Sequence, residues 1–94
     1  MGVNMIFGMK VNGETAPKDV ASDDVVFSWE YTDEDQFTLQ MSMDPEFKQT
    51  IMYIDTKNPY YIFDGSPLKC NTKYYWRVRK GIGKWTKDQF ITRG

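Results

Sequence analysis

Histidine is absent from the 94 residues. That removes the commonest general base and metal ligand, and with them most hydrolase triads and zinc sites. Cysteine occurs once, at Cys70, so no internal disulfide can form and the core must close without one. No run approaches the roughly 18 consecutive apolar residues of a membrane span, so membrane insertion is not expected. An excess of charge is missing too: 12 Lys+Arg against 13 Asp+Glu leave a formal net charge of -1. Without a basic field, nucleic acid is not an expected partner. No Walker loop or dinucleotide fingerprint occurs to cradle phosphates, so no cofactor is expected, and no RGD tripeptide offers an integrin-binding loop. The start, MGVNMIFGMK, has neither the basic n-region nor the h-region of a signal peptide. An exported parent protein would carry its signal outside these residues.

Apolar residues are plentiful at 40%, 16% of the chain being aromatic. They can fill one core, whereas a second would leave too few residues for either. Charge is uneven. Residues 1–35 carry two bases and eight acids, a balance of -6; residues 36–94 carry ten bases and five acids, a balance of +5. Surface pairs between the two parts would each be weak.

The hydrophobic period is two. Val25, Phe27 and Trp29 alternate with Val26, Ser28 and Glu30, then Phe37, Leu39, Met41 and Met43 with Thr38, Gln40 and Ser42. Both runs read as strands with one buried face, joined by an acidic hairpin turn over residues 32–35. Asp44-Pro45 ends the second run, and Phe47 returns an apolar anchor from the turn. Residues 51–54 form a short strand, Asn58-Pro59 a turn, and residues 60–63 a β-rich run of ambiguous facing. After the breaker Asp64-Gly65-Ser66-Pro67, Tyr74, Trp76 and Val78 point one way and Tyr75, Arg77 and Arg79 the other. Gly81 and Gly83 connect to a last strand over residues 85–91, with Phe90 in the core. Ala16 to Val20 fits a proline-bearing edge strand. Seven short strands without a helical run predict an all-β, seven-stranded sandwich of two antiparallel sheets. Residues 1–15 form an N-terminal extension or extra strand, and residues 16–94 the domain.

Two landmarks carry a family resemblance. The first is Val25-Val26-Phe27-Ser28-Trp29; the second is Leu68, Thr72, Tyr74, Trp76 and Val78 within LKCNTKYYWRV. Together they resemble the fibronectin type III domain, an immunoglobulin-like β-sandwich, over about residues 16–92. The resemblance implies that Trp29 plugs the core and that Tyr74 is a corner tyrosine whose hydroxyl bonds upstream backbone. Cys70 stands where the family usually has proline. More narrowly, FDGSPLKCNTKYYWRVR followed by GKWTKDQFITRG is similar to accessory modules of bacterial carbohydrate-active enzymes. The likeness is strongest to the N-terminal sandwich domain of α-L-rhamnosidases, with Phe63 replacing a tyrosine and a shorter connection at Gly81-Ile82-Gly83 between the last two strands. It implies a non-enzymatic module of a larger secreted, periplasmic or cell-surface protein, with neighbouring domains of the same chain as partners.

The acidic clusters Asp23-Asp24 and Asp33-Glu34-Asp35 read as solvated turns. Glycosidase chemistry needs two carboxylates across a cleft, and neither cluster has EF-hand spacing for calcium. Gly83-Lys84-Trp85-Thr86 beside Arg77 and Arg79 predicts a surface cation–π stack. The alternative is a binding surface for a glycan or protein formed by Tyr75, Arg77, Arg79 and Trp85. Tyr53, and either Tyr60 or Tyr61, could join Tyr75 in an exposed aromatic patch for a sugar or a neighbouring domain.

Overall fold

Alternation sets where strands run, and turn chemistry sets where they stop. The computed structural model describes residues 5–32 and 36–94. Its strands are β1 (Ile6–Val11), β2 (Val26–Tyr31), β3 (Phe37–Ser42), β4 (Met52–Thr56), β5 (Tyr60–Ile62), β6 (Lys73–Lys80) and β7 (Thr86–Ile91). One antiparallel sheet has the order β1-β2-β5 and the other β4-β3-β6-β7. Packed face to face, they form an immunoglobulin-like β-sandwich of two antiparallel sheets, three strands on four. Most of the acidic turn expected over residues 32–35, and the cluster at 33–35, lie outside the described residues.

The first strand comes from within residues 1–15. In β1 the partners Phe7↔Glu30 and Lys10↔Ser28 leave one extra residue on β1, a β-bulge with Gly8 at φ 59°. The bulge shifts the pleat so that Ile6, Met9 and Val11 all face the core. Asn12 and Gly13, both at positive φ, then turn the chain, and Val11 and Glu14 exchange backbone hydrogen bonds across them.

Residues 16–20, expected to be an edge strand, are not one. Pro17 has no N–H to offer a ladder, and only Val20 makes a bridge, parallel to Thr92. The segment lies beside the end of β7: Val20 N–H donates to Ile91 O, Ile91 N–H to Pro17 O, and Arg93 N–H to Val20 O. Met43 also departs from its expected row. Because β3 ends at Ser42 before the Asp44-Pro45 turn, Met43 is exposed. The ambiguous run around β5 resolves: Tyr61 and Phe63 pack on the core, while Tyr60 and Ile62 are exposed.

The core is a train of seven rings crossing both sheets. Tyr31 meets Phe37 at 5.2 Å, Phe37 meets Trp29 at 5.6 Å, and Trp29 meets Trp76 at 6.4 Å. The train continues from Trp76 to Phe27 at 4.9 Å, to Phe90 at 5.9 Å and to Tyr74 at 5.6 Å. Phe27, Trp29 and Tyr31 share one face of β2, as spacing by two requires. The Trp29 and Trp76 indole N–H groups have no hydrogen-bond partner among the described residues, so both tryptophans serve the core through volume and ring contact. Leu68 and Val78 are buried with them. The Tyr74 hydroxyl accepts from Lys69 N–H at 2.8 Å, and the Thr92 hydroxyl donates to Lys69 O. The loop before β6 is thus held from both sides, and Cys70 within it is exposed.

Trp29→Ala removes the ring linking Phe37 to Trp76. A loss of about 3–5 kcal/mol is expected, read as a lower urea midpoint; a loss under about 1 kcal/mol would contradict the packing role. Tyr74→Phe keeps the ring but drops the Lys69 hydrogen bond, with an expected cost of about 1–2 kcal/mol in the same melt.

Candidate functional site

Among the described residues, no group of three or more His, Cys, Asp or Glu is placed to hold a metal ion. No helix among them is long and apolar enough to cross a membrane. Shallow depressions occur at a sandwich end, where Met43, Ile51, Phe63, Pro67 and Tyr74 border about 410 Å³, and beside β1, where Lys10, Ser28, Glu30 and Tyr60 border about 370 Å³. The residues with more organised chemistry lie on the outward face of the four-stranded sheet.

Register builds that face. Inward Leu39, Met41, Trp76 and Val78 are buried, so their neighbours along each strand point out. One outward row crosses Asp55, Thr38 and Arg79; the next crosses Tyr53, Gln40, Arg77 and Lys87; a third crosses Ser42, Tyr75 and Gln89. Thr38, Gln40 and Ser42 are polar, yet buried, because longer neighbours cover the central strand. The Thr38 hydroxyl donates to Asp55 Oδ1 at 2.8 Å, and Arg77 Nε donates to Gln40 Oε1 at 2.8 Å.

Arg77 is the centre of the face. Its guanidinium carbon lies 4.1 Å from the Trp85 ring centroid and 4.3 Å from that of Phe47. Arg79 adds a second guanidinium 4.6 Å from the Trp85 centroid. Such stacks combine attraction to the ring quadrupole with coverage of the apolar ring. Burial, followed by repulsion from Arg79, holds Arg77 below the usual guanidinium range, although an arginine remains charged at neutral pH. Tyr75 is half-buried in the adjacent row, with Lys73 Nζ 5.9 Å from its ring centroid. Arg77, Arg79 and Trp85 therefore meet directly, and Tyr75 borders them. The wider tyrosine patch does not assemble: Tyr53 and Tyr75 share this sheet, whereas Tyr60 lies on β5 in the other.

Phe47, read from sequence as an apolar anchor, has a second task here. It is a bulky residue at φ 56°, a conformation that needs support. Asp44 supplies it: Oδ1 accepts from Glu46 N–H and Oδ2 from Lys48 N–H, both at 3.0 Å, while Asp44 O accepts from Phe47 N–H. This short turn brings Phe47 over Arg77. A signal for Gln40 and Thr38 was available in the alternation itself, since they occupy the polar parity opposite Arg77 and Arg79.

With that geometry in place, one comparison is informative. A solved α-L-rhamnosidase structure from Dictyoglumus thermophilum superposes with a TM-score of 0.73 at 17% sequence identity. The match covers 94% of this chain but 12% of that enzyme, so the likeness is to one small part of a much longer protein. At that identity it shows a shared fold. No protein-family profile matches the chain, and no curated protein matches it significantly.

Two measurements probe the face. In a double-mutant cycle, Arg77→Gln and Trp85→Leu should show a coupling of about 0.5–1 kcal/mol in urea melts; additivity would mean that the stack contributes nothing. Asp44 is held below the usual carboxylate range chiefly by the Glu46 and then the Lys48 backbone N–H groups. A carboxylate depressed on folding stabilises the fold above its unfolded pKa, and that contribution disappears as pH falls through its folded value. Asp44→Ala should therefore lower the urea midpoint at pH 7, with the difference from the parent chain shrinking below about pH 4.

Proposed function

We propose that this chain is a non-catalytic accessory module of a larger bacterial carbohydrate-processing protein, acting by packing against and positioning neighbouring domains. The observation that carries the proposal is the asymmetric match: nearly the whole chain corresponds to a small fraction of a rhamnosidase. The side-chain chemistry agrees with a positional role. The Arg77–Trp85 stack contains no nucleophile or acid–base pair, and the guanidiniums cover the aromatic ring on which a sugar would otherwise stack. The carbohydrate-processing reading carries with it a secreted, periplasmic or cell-surface location for the parent protein.

The proposal has two tests. Incubated with a chromogenic α-L-rhamnoside, the 94-residue chain should release no product above the buffer control; turnover would overturn the non-catalytic assignment. Within the parent protein, deletion of the module should lower Tm while leaving kcat on a small glycoside unchanged. Lost kcat at an unchanged Tm would overturn the positional role.

A further inference from the structure

The outward face of the four-stranded sheet has an unbalanced charge pattern. Lys73, Arg77 and Arg79 of β6 and Lys87 of β7 share its parity, while Asp55 of β4 is the acid in those rows. Asp55 accepts the Thr38 hydroxyl, and Thr38 stands between it and Arg79 in the register. The ion pairs among the described residues lie elsewhere, at Lys48–Glu46 and Arg93–Asp19. Neither stacked guanidinium has a carboxylate within ion-pair distance among those residues.

Stacking leaves a particular part of each arginine available. A guanidinium is flat, with five N–H donors in its plane. Phe47 and Trp85 interact with Arg77 through their ring faces, and Gln40 accepts its Nε–H. Among the described residues Arg77 makes no other hydrogen bond, so its terminal N–H groups are left without an acceptor there. At Arg79 the Nε is buried and has no hydrogen-bond partner among the described residues, so a group arriving from outside would meet the terminal N–H groups rather than Nε. The group that best matches two held guanidinium edges is a carboxylate, which accepts paired N–H bonds in plane.

We infer that this face is a docking surface for an acidic peptide segment, whose carboxylates bond the in-plane edges of Arg77 and Arg79 while Trp85 and Phe47 hold those edges in position. The inference rests on the accessory-module proposal only for the segment's source, a neighbouring domain or linker of the parent chain. Lys73 and Lys87 extend the cationic strip to both sides and favour a run of carboxylates over a single one. A peptide also suits the geometry better than a neutral sugar, which would compete with the arginines for the Trp85 ring.

The test uses the isotopically labelled 94-residue chain and a deca-glutamate peptide as the probe. Titration should produce saturable shifts in the Arg77 and Arg79 Nε–H and Trp85 Nε1–H signals. Those of core Trp29 and Trp76 should stay in place and report an intact fold. Added salt should weaken binding, because the contacts are partly exposed charges. Arg79→Gln should weaken it about tenfold or more, as expected for lost charged hydrogen bonds. Lys10→Gln, which changes net charge equally on the other sheet, should leave it unchanged. Absence of saturable shifts would overturn the inference, as would equal weakening by Lys10→Gln and Arg79→Gln. Binding of trigalacturonate without binding of deca-glutamate would overturn the peptide assignment in favour of an acidic saccharide. None of these results depends on rhamnoside turnover or parent-protein stability, so the accessory proposal stands or falls separately.

Discussion

The contact between Trp29 of the three-stranded sheet and Trp76 of the four-stranded sheet closes the sandwich, and other features depend on that closure. A chain of this size without a disulfide must obtain most of its stability from buried apolar area. Large rings deliver that area at few positions. Their alternation along β2 and β6 also fixes orientation. Once Trp29 and Trp76 face inward, Arg77 and Arg79 must face outward. A one-residue slip would exchange the two sets, placing charge in the core and the tryptophans in solvent.

The outward face follows from this constraint but has its own organisation. Adjacent strands set Gln40 beside Arg77 and Thr38 beside both Asp55 and Arg79. Two rings from distant parts of the chain then converge on Arg77. Trp85 arrives through the connection into β7, whereas Phe47 arrives through a turn held by Asp44. The resulting surface is rigid for an arginine-rich one, because packing limits the side-chain freedom that an isolated arginine would lose on binding. Rigidity and unpaired cationic edges suit a docking face.

Fold and function separate clearly in this molecule. The sandwich resembles a small part of a rhamnosidase, but a fold of this kind hosts many activities. The accessory role is therefore proposed from the unequal coverage and from the chemistry of the candidate face. The acidic-peptide inference is narrower and local. It depends on the partners of Arg77 and Arg79 and would survive a different biological role for the parent protein.

Alternation alone determined the inward placement of Phe27, Trp29, Leu39, Trp76 and Val78 and the outward parity of Arg77 and Arg79, because a pleated strand repeats every two residues. The β1 bulge is less regular: Gly8 breaks that period, so Ile6, Met9 and Val11 share the core despite unequal spacing. Residues 16–20 have strand-like composition, but Pro17 and the nearby end of β7 dictate a single bridge instead. Tertiary structure also decided that Phe47 covers Arg77 and that Arg79 Nε has no described partner. Both depend on which distant side chains arrive at one place, and local periodicity carries no information about those distances.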